Sequence, residues 1–201
     1  MNKDNTENFK KLLMATKRIG IEAVLNWLEH ATDFFTAPAS TRFHSSYEGG
    51  LLEHSINTYN ALKVLNETEL TNRHLLKDTV AIVALLHDIC KANTYKVVDR
   101  WRKDKNNKWE QYKTYEFNED EPLGHGEKSI FILQRLGLQM TEQEVYMIRW
   151  HMGGFDDAAR GGSFAISQAY DRYPLAVKLH LADLESTYLR EKGTSVVRAQ
   201  R

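Results

Sequence analysis

Six residues along this chain are of the types that could do chemistry together: His54, His87, Asp88, His125, His151 and Asp183. Imidazoles and carboxylates are the side chains that bind divalent metals of hard to borderline character. His87 and Asp88 are adjacent and lie in the apolar run VAIVALLHDICKA, residues 80–92. Burying an ionisable pair is costly unless it is paired or metal-bound. One metal ion would offset that cost, and two would use all six residues. On a helix, neighbouring side chains project about 100° apart, close enough for His87 and Asp88 to reach one ion.

Other chemistries find less support. There is no GxSxG segment, and no GxxxxGK[ST] phosphate loop. The single cysteine, Cys90, lies beside the His-Asp pair. A hydrolytic role would therefore rest on metal-activated water, whose pKa an ion lowers toward neutrality, while two ions clamp the attacking and leaving oxygens. A structural zinc site would favour a cysteine-rich tetrahedron, which one cysteine cannot build. The His/Asp set suits Mn, Fe, Co, Ni or Zn without choosing among them.

Five segments occur in a telling order: GGLLEHS (49–55), LLHDICK (85–91), LGHGEKS (123–129), IRWHMGG (148–154) and KLHLADLE (178–185). Together, over residues 42–189, they resemble the HD-domain metal-dependent phosphohydrolase superfamily. Cys90 stands where many members have glycine. The resemblance implies a first metal held by His54, His87, Asp88 and Asp183. It implies a second held by Asp88, His125 and His151, as in the binuclear H…HD…H…H…D branch, and hence two divalent transition-metal ions per chain. The implied substrate is a phosphate ester or anhydride, with Asp88, Lys91 and His125 as catalytic residues. Lys91 follows Asp88 by one helical turn and shares its face; in HDxxK proteins this lysine commonly contacts substrate phosphate. Lys128, His44 and Arg149 are further substrate-binding candidates, as is Arg160 in the AARGGS loop. Glu53 and Glu127 flank ligands and are candidate hydrogen-bond partners for the histidines. His30, His74 and His180 are expected to pack or hydrogen-bond.

These residues need elements to position them. Apolar spacing predicts one or two helices over 6–31, with Gly20 a break. A loop rich in Ser, Thr and Gly follows over 38–50. Helices are expected over 51–66, carrying His54, and over 72–92, carrying His87 and Asp88, with a break near Asp78. Stretches 95–101 and 109–117 are rich in Val, Tyr and Trp around the turn-like DKNNK, which signals a hairpin. Helices are then expected over 125–136, over 141–152 with Thr141 and Glu144 as a capping box and Gly153-Gly154 as its stop, and over 164–170. Pro174 suits the first position of a final helix ending at Gly193. The expected fold is mostly α: an HD-domain-like helical bundle in one domain over 1–201, with a small β-hairpin insertion over about 95–117.

At 201 residues, 42% of them hydrophobic, the chain is long enough to bury a core. Equal numbers of basic and acidic residues, 27 each, argue against a general nucleic-acid coat. One cysteine allows no intramolecular disulfide. The polar N-terminus lacks the apolar core of a signal peptide, and no apolar run approaches the about 20 residues a bilayer requires. A soluble, cytoplasmic protein with no membrane partner is expected.

The hairpin interleaves aromatics with basic residues (Trp101, Arg102, Lys103, Trp109, Tyr112, Lys113). It either stacks bases of a short single-stranded nucleic acid or packs one face on the helices. The order of HD motif, strand pair and LGH resembles the HD domain of bacterial exoribonucleases, without the OB-fold domain that feeds RNA to it.

The leading expectation is a phosphohydrolase or phosphodiesterase acting on a nucleotide, cyclic nucleotide or short oligonucleotide. A mixed-valent di-iron oxygenase shares the same ligand pattern. A mononuclear 5′-nucleotidase or nucleoside-polyphosphate hydrolase would use His125 and His151 on substrate. A non-enzymatic binding module is the fourth reading, and homo-oligomerisation stays open.

Overall fold

The computed structural model describes residues 3–68, 73–118 and 121–191. The N-terminal apolar periodicity divides into α1, Lys3–Ala15, and α2, Ile21–His30, each burying one face. The break falls at Gly20, whose φ is +92° and whose absent Cβ would sit 2.2 Å from the carbonyl oxygen of Gly137. Only glycine meets both demands.

Helix α3, Gly50–Glu67, packs on α4, Lys77–Leu86, and on α9, Ala176–Glu185. Every residue of α4 from Thr79 onward is buried, which explains the unbroken apolar run: a helix covered on all sides shows no polar stripe.

The helix expected over 72–92 is shorter at both ends; position 72 lies outside the described residues. Helix α4 stops at Leu86. His87 still has helical angles, but Asp88 takes φ −103° and ψ 18° and opens a tight 3-10 turn, Ile89–Lys91. Ending a helix leaves carbonyls without partners. The Ser129 hydroxyl satisfies one of them, donating to the carbonyl of His87 at 2.5 Å. The His-Asp pair thus sits at a helix end rather than within a helix.

Strands β1, Tyr95–Lys103, and β2, Trp109–Phe117, pair antiparallel, from Tyr95 opposite Phe117 to Lys103 opposite Trp109. The Asp104 carboxylate accepts from the backbone N–H groups of Asn106 and Lys108 at 2.8 Å each and holds the turn. β1 runs two residues beyond the expected Trp101. No residue of either strand is buried, so the hairpin does not lay a face on the helical core.

Helix α5, His125–Arg135, packs on α6, Glu142–Arg149. The capping box is present: Glu144 N–H donates to Thr141 Oγ1, and Thr141 N–H donates to the Glu144 carboxylate. Helix α6 ends three residues before the expected Met152, with Gly153 (φ +56°) in the turn that follows. A short α7, Asp157–Arg160, capped by the Asp156 carboxylate, was not apparent from periodicity. It precedes α8, Ala165–Arg172. The expected final helix resolves into α9 and a π-helical turn, Ser186–Arg190; Gly193 lies outside the described residues. Among the described residues, no helix is long and apolar enough to cross a membrane.

Candidate metal centre

All six candidate ligands converge. His54 comes from the first turns of α3, His87 and Asp88 from the end of α4, and His125 from the first residue of α5. His151 follows α6, and Asp183 lies on α9. A backbone contact brings the second pair of histidines together: a Cβ on Gly126 would meet the Arg149 carbonyl oxygen at 2.3 Å. Only glycine there lets the start of α5 touch the end of α6.

Asp88 is the centre of the cluster, and its two oxygens face different ways. Oδ2 lies 3.4 Å from both His54 Nε2 and His87 Nε2. Oδ1 lies 2.8 Å from His125 Nε2 and 3.4 Å from His151 Nε2. Asp183 Oδ1 lies 3.3 Å from His54 Nε2. One carboxylate thus faces two histidine pairs through separate oxygens.

The hydrogen bonds fix which nitrogen of each ring faces inward. His87 Nδ1 donates to the Ala84 carbonyl at 2.9 Å, and His151 Nδ1 to the Ile148 carbonyl at 2.7 Å. His54 Nδ1 donates to Glu191 Oε1 at 2.8 Å. Carbonyls and carboxylates only accept, so each Nδ1 carries a proton, and Nε2 is the nitrogen that each ring turns to the centre. His54 Nε2 and His87 Nε2 then face each other at 3.2 Å, and buried His151 Nε2 has no hydrogen-bond partner. Buried acceptors without donors are costly. A divalent cation is what such a donor set fits.

The electrostatics agree. Burial works against a charged His54, yet Asp183, Asp88 and Glu191 outweigh it and raise its pKa well above the usual imidazole value. The pocket is thus built to hold positive charge. Burial works the other way on Asp183, but His54 and His87 hold its carboxyl far below the usual range. On His125, Cys90 and Asp88 outweigh burial and push the pKa up to about 10. Among the described residues, the triads His54–His87–Asp88, His87–His151–Asp183 and Asp88–Cys90–His125 each bring ligand atoms within 4.8 Å of one another.

The remaining candidates divide. Lys91 Nζ lies 2.6 Å from Asp88 Oδ2. Lys91, His44 and Arg160 line a cavity of about 800 Å³, with Asp88, His125 and Asp183 at its floor and Phe43, Tyr95, Phe117, Phe155 and Tyr188 around it. Lys128 is buried on α5 and does not line that cavity. Arg149 is also outside it: its guanidinium pairs with Asp156 at 2.7 Å and with Glu127, and lies 3.8 Å over the Trp150 ring. Glu127 is therefore engaged by an arginine rather than a histidine. His180 Nδ1 bonds the His151 carbonyl at 2.7 Å, as expected of a hydrogen-bonded histidine.

Sequence reasoning missed Glu191. It lies beyond every recognised motif, and only the return of the chain after α9 places it against His54. The flanking Glu53 was the candidate for that role.

Helices converging on four imidazoles and two carboxylates define a metal-binding class of helical domain. The family model for the HD domain matches residues 51–188, and the chain belongs to the HD-domain family. The dihydroneopterin 2′,3′-cyclic phosphate phosphodiesterase of Methanocaldococcus jannaschii is 44% identical over 61 residues, 29% of this chain and 24% of that protein. The match thus spans about a quarter of the relative's length. No solved structure matches the chain significantly.

Proposed function

We propose that this chain is a metal-dependent phosphodiesterase or phosphohydrolase acting on a phosphate ester that carries a planar aromatic group: a nucleotide, a cyclic nucleotide or a short oligonucleotide. The observation that carries the reading is the division of Asp88, with one oxygen toward His54 and His87 and the other toward His125 and His151. Membership of the HD-domain family and the phosphodiesterase named as a relative support the hydrolytic chemistry. The aromatic rings around the cavity support the flat group, because rings offer stacking surface to any base.

His54, His87, Asp88 and Asp183 would hold one ion, and Asp88, His125 and His151 the other. Bound there, the ions supply a water of lowered pKa and neutralise phosphate charge. Lys91 donates to a phosphate oxygen. Burial disfavours its charge, but Asp88, Tyr95 and Asp183 raise its pKa above the usual lysine value, so it stays a cation at neutral pH. His125 has a side chain 31% exposed, against essentially none for His54, His87 and His151. It is the ligand placed to meet substrate directly.

The test combines elemental analysis of protein purified without chelator with a turnover panel in Mn²⁺. The panel holds bis(p-nitrophenyl) phosphate, nucleoside 2′,3′-cyclic phosphates and nucleoside monophosphates. Two ions per chain and turnover of diesters are expected. One ion with monoester turnover alone would favour the mononuclear nucleotidase. Iron with O₂ consumption and no ester cleavage would favour the oxygenase.

A further inference from the structure

We infer that Glu191 is a positioning residue that sets the tautomer and aim of two imidazoles at once, the centre-facing His54 and the cavity-lining His44. The Glu191 side chain is fully buried. Its Oε1 accepts from His54 Nδ1 at 2.8 Å and from Asn57 Nδ2 at 3.4 Å. Its Oε2 accepts from His44 Nδ1 at 2.7 Å and from Ser45 Oγ at 2.8 Å. Four donors surround one carboxylate, which accounts for the burial of its charge.

The other two enclosed histidines need no such partner. His87 and His151 each bond the carbonyl three residues earlier in their own chain segment. His54 lacks that option, since the carbonyl three residues before it, on Leu51, accepts from the Ser55 hydroxyl at 3.0 Å. Its Nδ1 is held from outside, by a residue 137 positions away.

The chain reaches that point through the π-helical turn Ser186–Arg190, in which Glu191 N–H bonds the Ser186 carbonyl at 3.0 Å. Single π turns recur at functional sites. This one carries the carboxylate from the end of α9 back onto α3.

The consequence is chemical as well as geometric. A carboxylate on Nδ1–H raises the basicity of Nε2 and so strengthens the ring as a ligand. The same carboxylate holds Nδ1 of His44 and leaves its Nε2 for the cavity that His44 lines with Lys91. Glu191 therefore joins metal affinity to substrate contact. The inference rests on the metal reading of the site, and the experiment separates the two.

The variant is Glu191→Gln, which keeps shape. One amide oxygen can accept from one ring, but the amide NH₂ then faces the other. Histidine ¹⁵N–¹H correlation spectra of zinc-loaded protein report each tautomer, and competition with a chromogenic chelator reports Zn²⁺ affinity. Wild type should show His54 and His44 both protonated at Nδ1. In Glu191→Gln one of the two should change tautomer, and Zn²⁺ affinity should fall about 10–100-fold. Unchanged tautomers and unchanged affinity would overturn the inference and leave Glu191 a tie for the C-terminal turn. If the variant fails to fold, the wild-type spectrum still decides, because His44 protonated at Nε2 rather than Nδ1 overturns it. If wild type takes up no zinc, the metal reading fails separately, and the tautomer of His44 in the metal-free protein decides the role of Glu191.

Discussion

Lys91 Nζ lies 2.6 Å from Asp88 Oδ2, the oxygen that also faces His54 and His87. The tight turn after α4 creates this pairing, since Lys91 closes the turn that Asp88 opens. A cation placed there reaches both Asp88 and the cavity.

Lys91→Ala should therefore keep its ions and lose rate. A hydrogen bond to a charged group is worth about 1.5–3 kcal/mol, or about 10- to 160-fold in kcat/KM. Metal content of the purified variant and its turnover of the best phosphodiester check this. Wild-type kcat/KM would remove Lys91 from the substrate site.

Asp88→Ala should lose metal and activity together, because it deletes the carboxylate whose two oxygens face the two histidine pairs. Elemental analysis and turnover on the same preparation test it. Full turnover in this variant would end the proposed assignment of ligands.

Gly126→Ala should separate α5 from α6, since the new Cβ would lie 2.3–2.8 Å from backbone atoms of Arg149. Overpacking of this kind costs about 1–3 kcal/mol. His125 and His151 would move apart while the first ligand set stays in place. Metal stoichiometry should fall toward one ion in a protein that still folds. Two tightly bound ions would show that the contact does not govern the second site.

Acid stability should depend on Glu144. Its buried carboxylate binds Arg18 at 2.6 and 2.9 Å and Thr79 at 2.8 Å, joining α6 to α4 and to the link after α1. Burial would raise its pKa, but the bonds from Arg18, Thr141 and Thr79 outweigh it and lower it from the ordinary 4.5. A depressed folded-state pKa gives stability that is present above about 4.5 and lost as pH falls through the folded value. Urea midpoints of metal-free protein should therefore drop less between pH 6 and about 3 in Glu144→Gln than in wild type. At neutral pH the variant should be about 2–3 kcal/mol less stable, as removing a charged hydrogen-bond partner implies. Parallel acid profiles would sink the prediction.

The aromatic wall predicts a change in KM. Phe117→Ala or Phe155→Ala should raise KM for a nucleoside cyclic phosphate, with about 1–3 kcal/mol lost per stacking ring. kcat should hold, because these rings line the cavity and are not among the candidate ligands. Unchanged KM in both variants would place the flat group elsewhere.

The identities of the six ligand candidates were legible from sequence, because ionisable residues inside apolar runs such as 80–92 need a reason to be buried. So were the helices and the hairpin, whose apolar periods differ. The capping box at Thr141 and Glu144 was readable for the same local reason. Other features depended on partners far away in sequence. The helix end at Asp88 answers to Ser129, 41 positions on. Arg149 was read as a substrate contact, yet Asp156 and Glu127 engage it outside the cavity. Glu191 carries no motif and acquires its place only when the turn after α9 returns it to His54 and His44. Local composition determines which side chains can ligate and which segments can coil. The choice of nitrogen on His54 and His44, and the division of Asp88 between two histidine pairs, belong to long-range packing that no local pattern encodes.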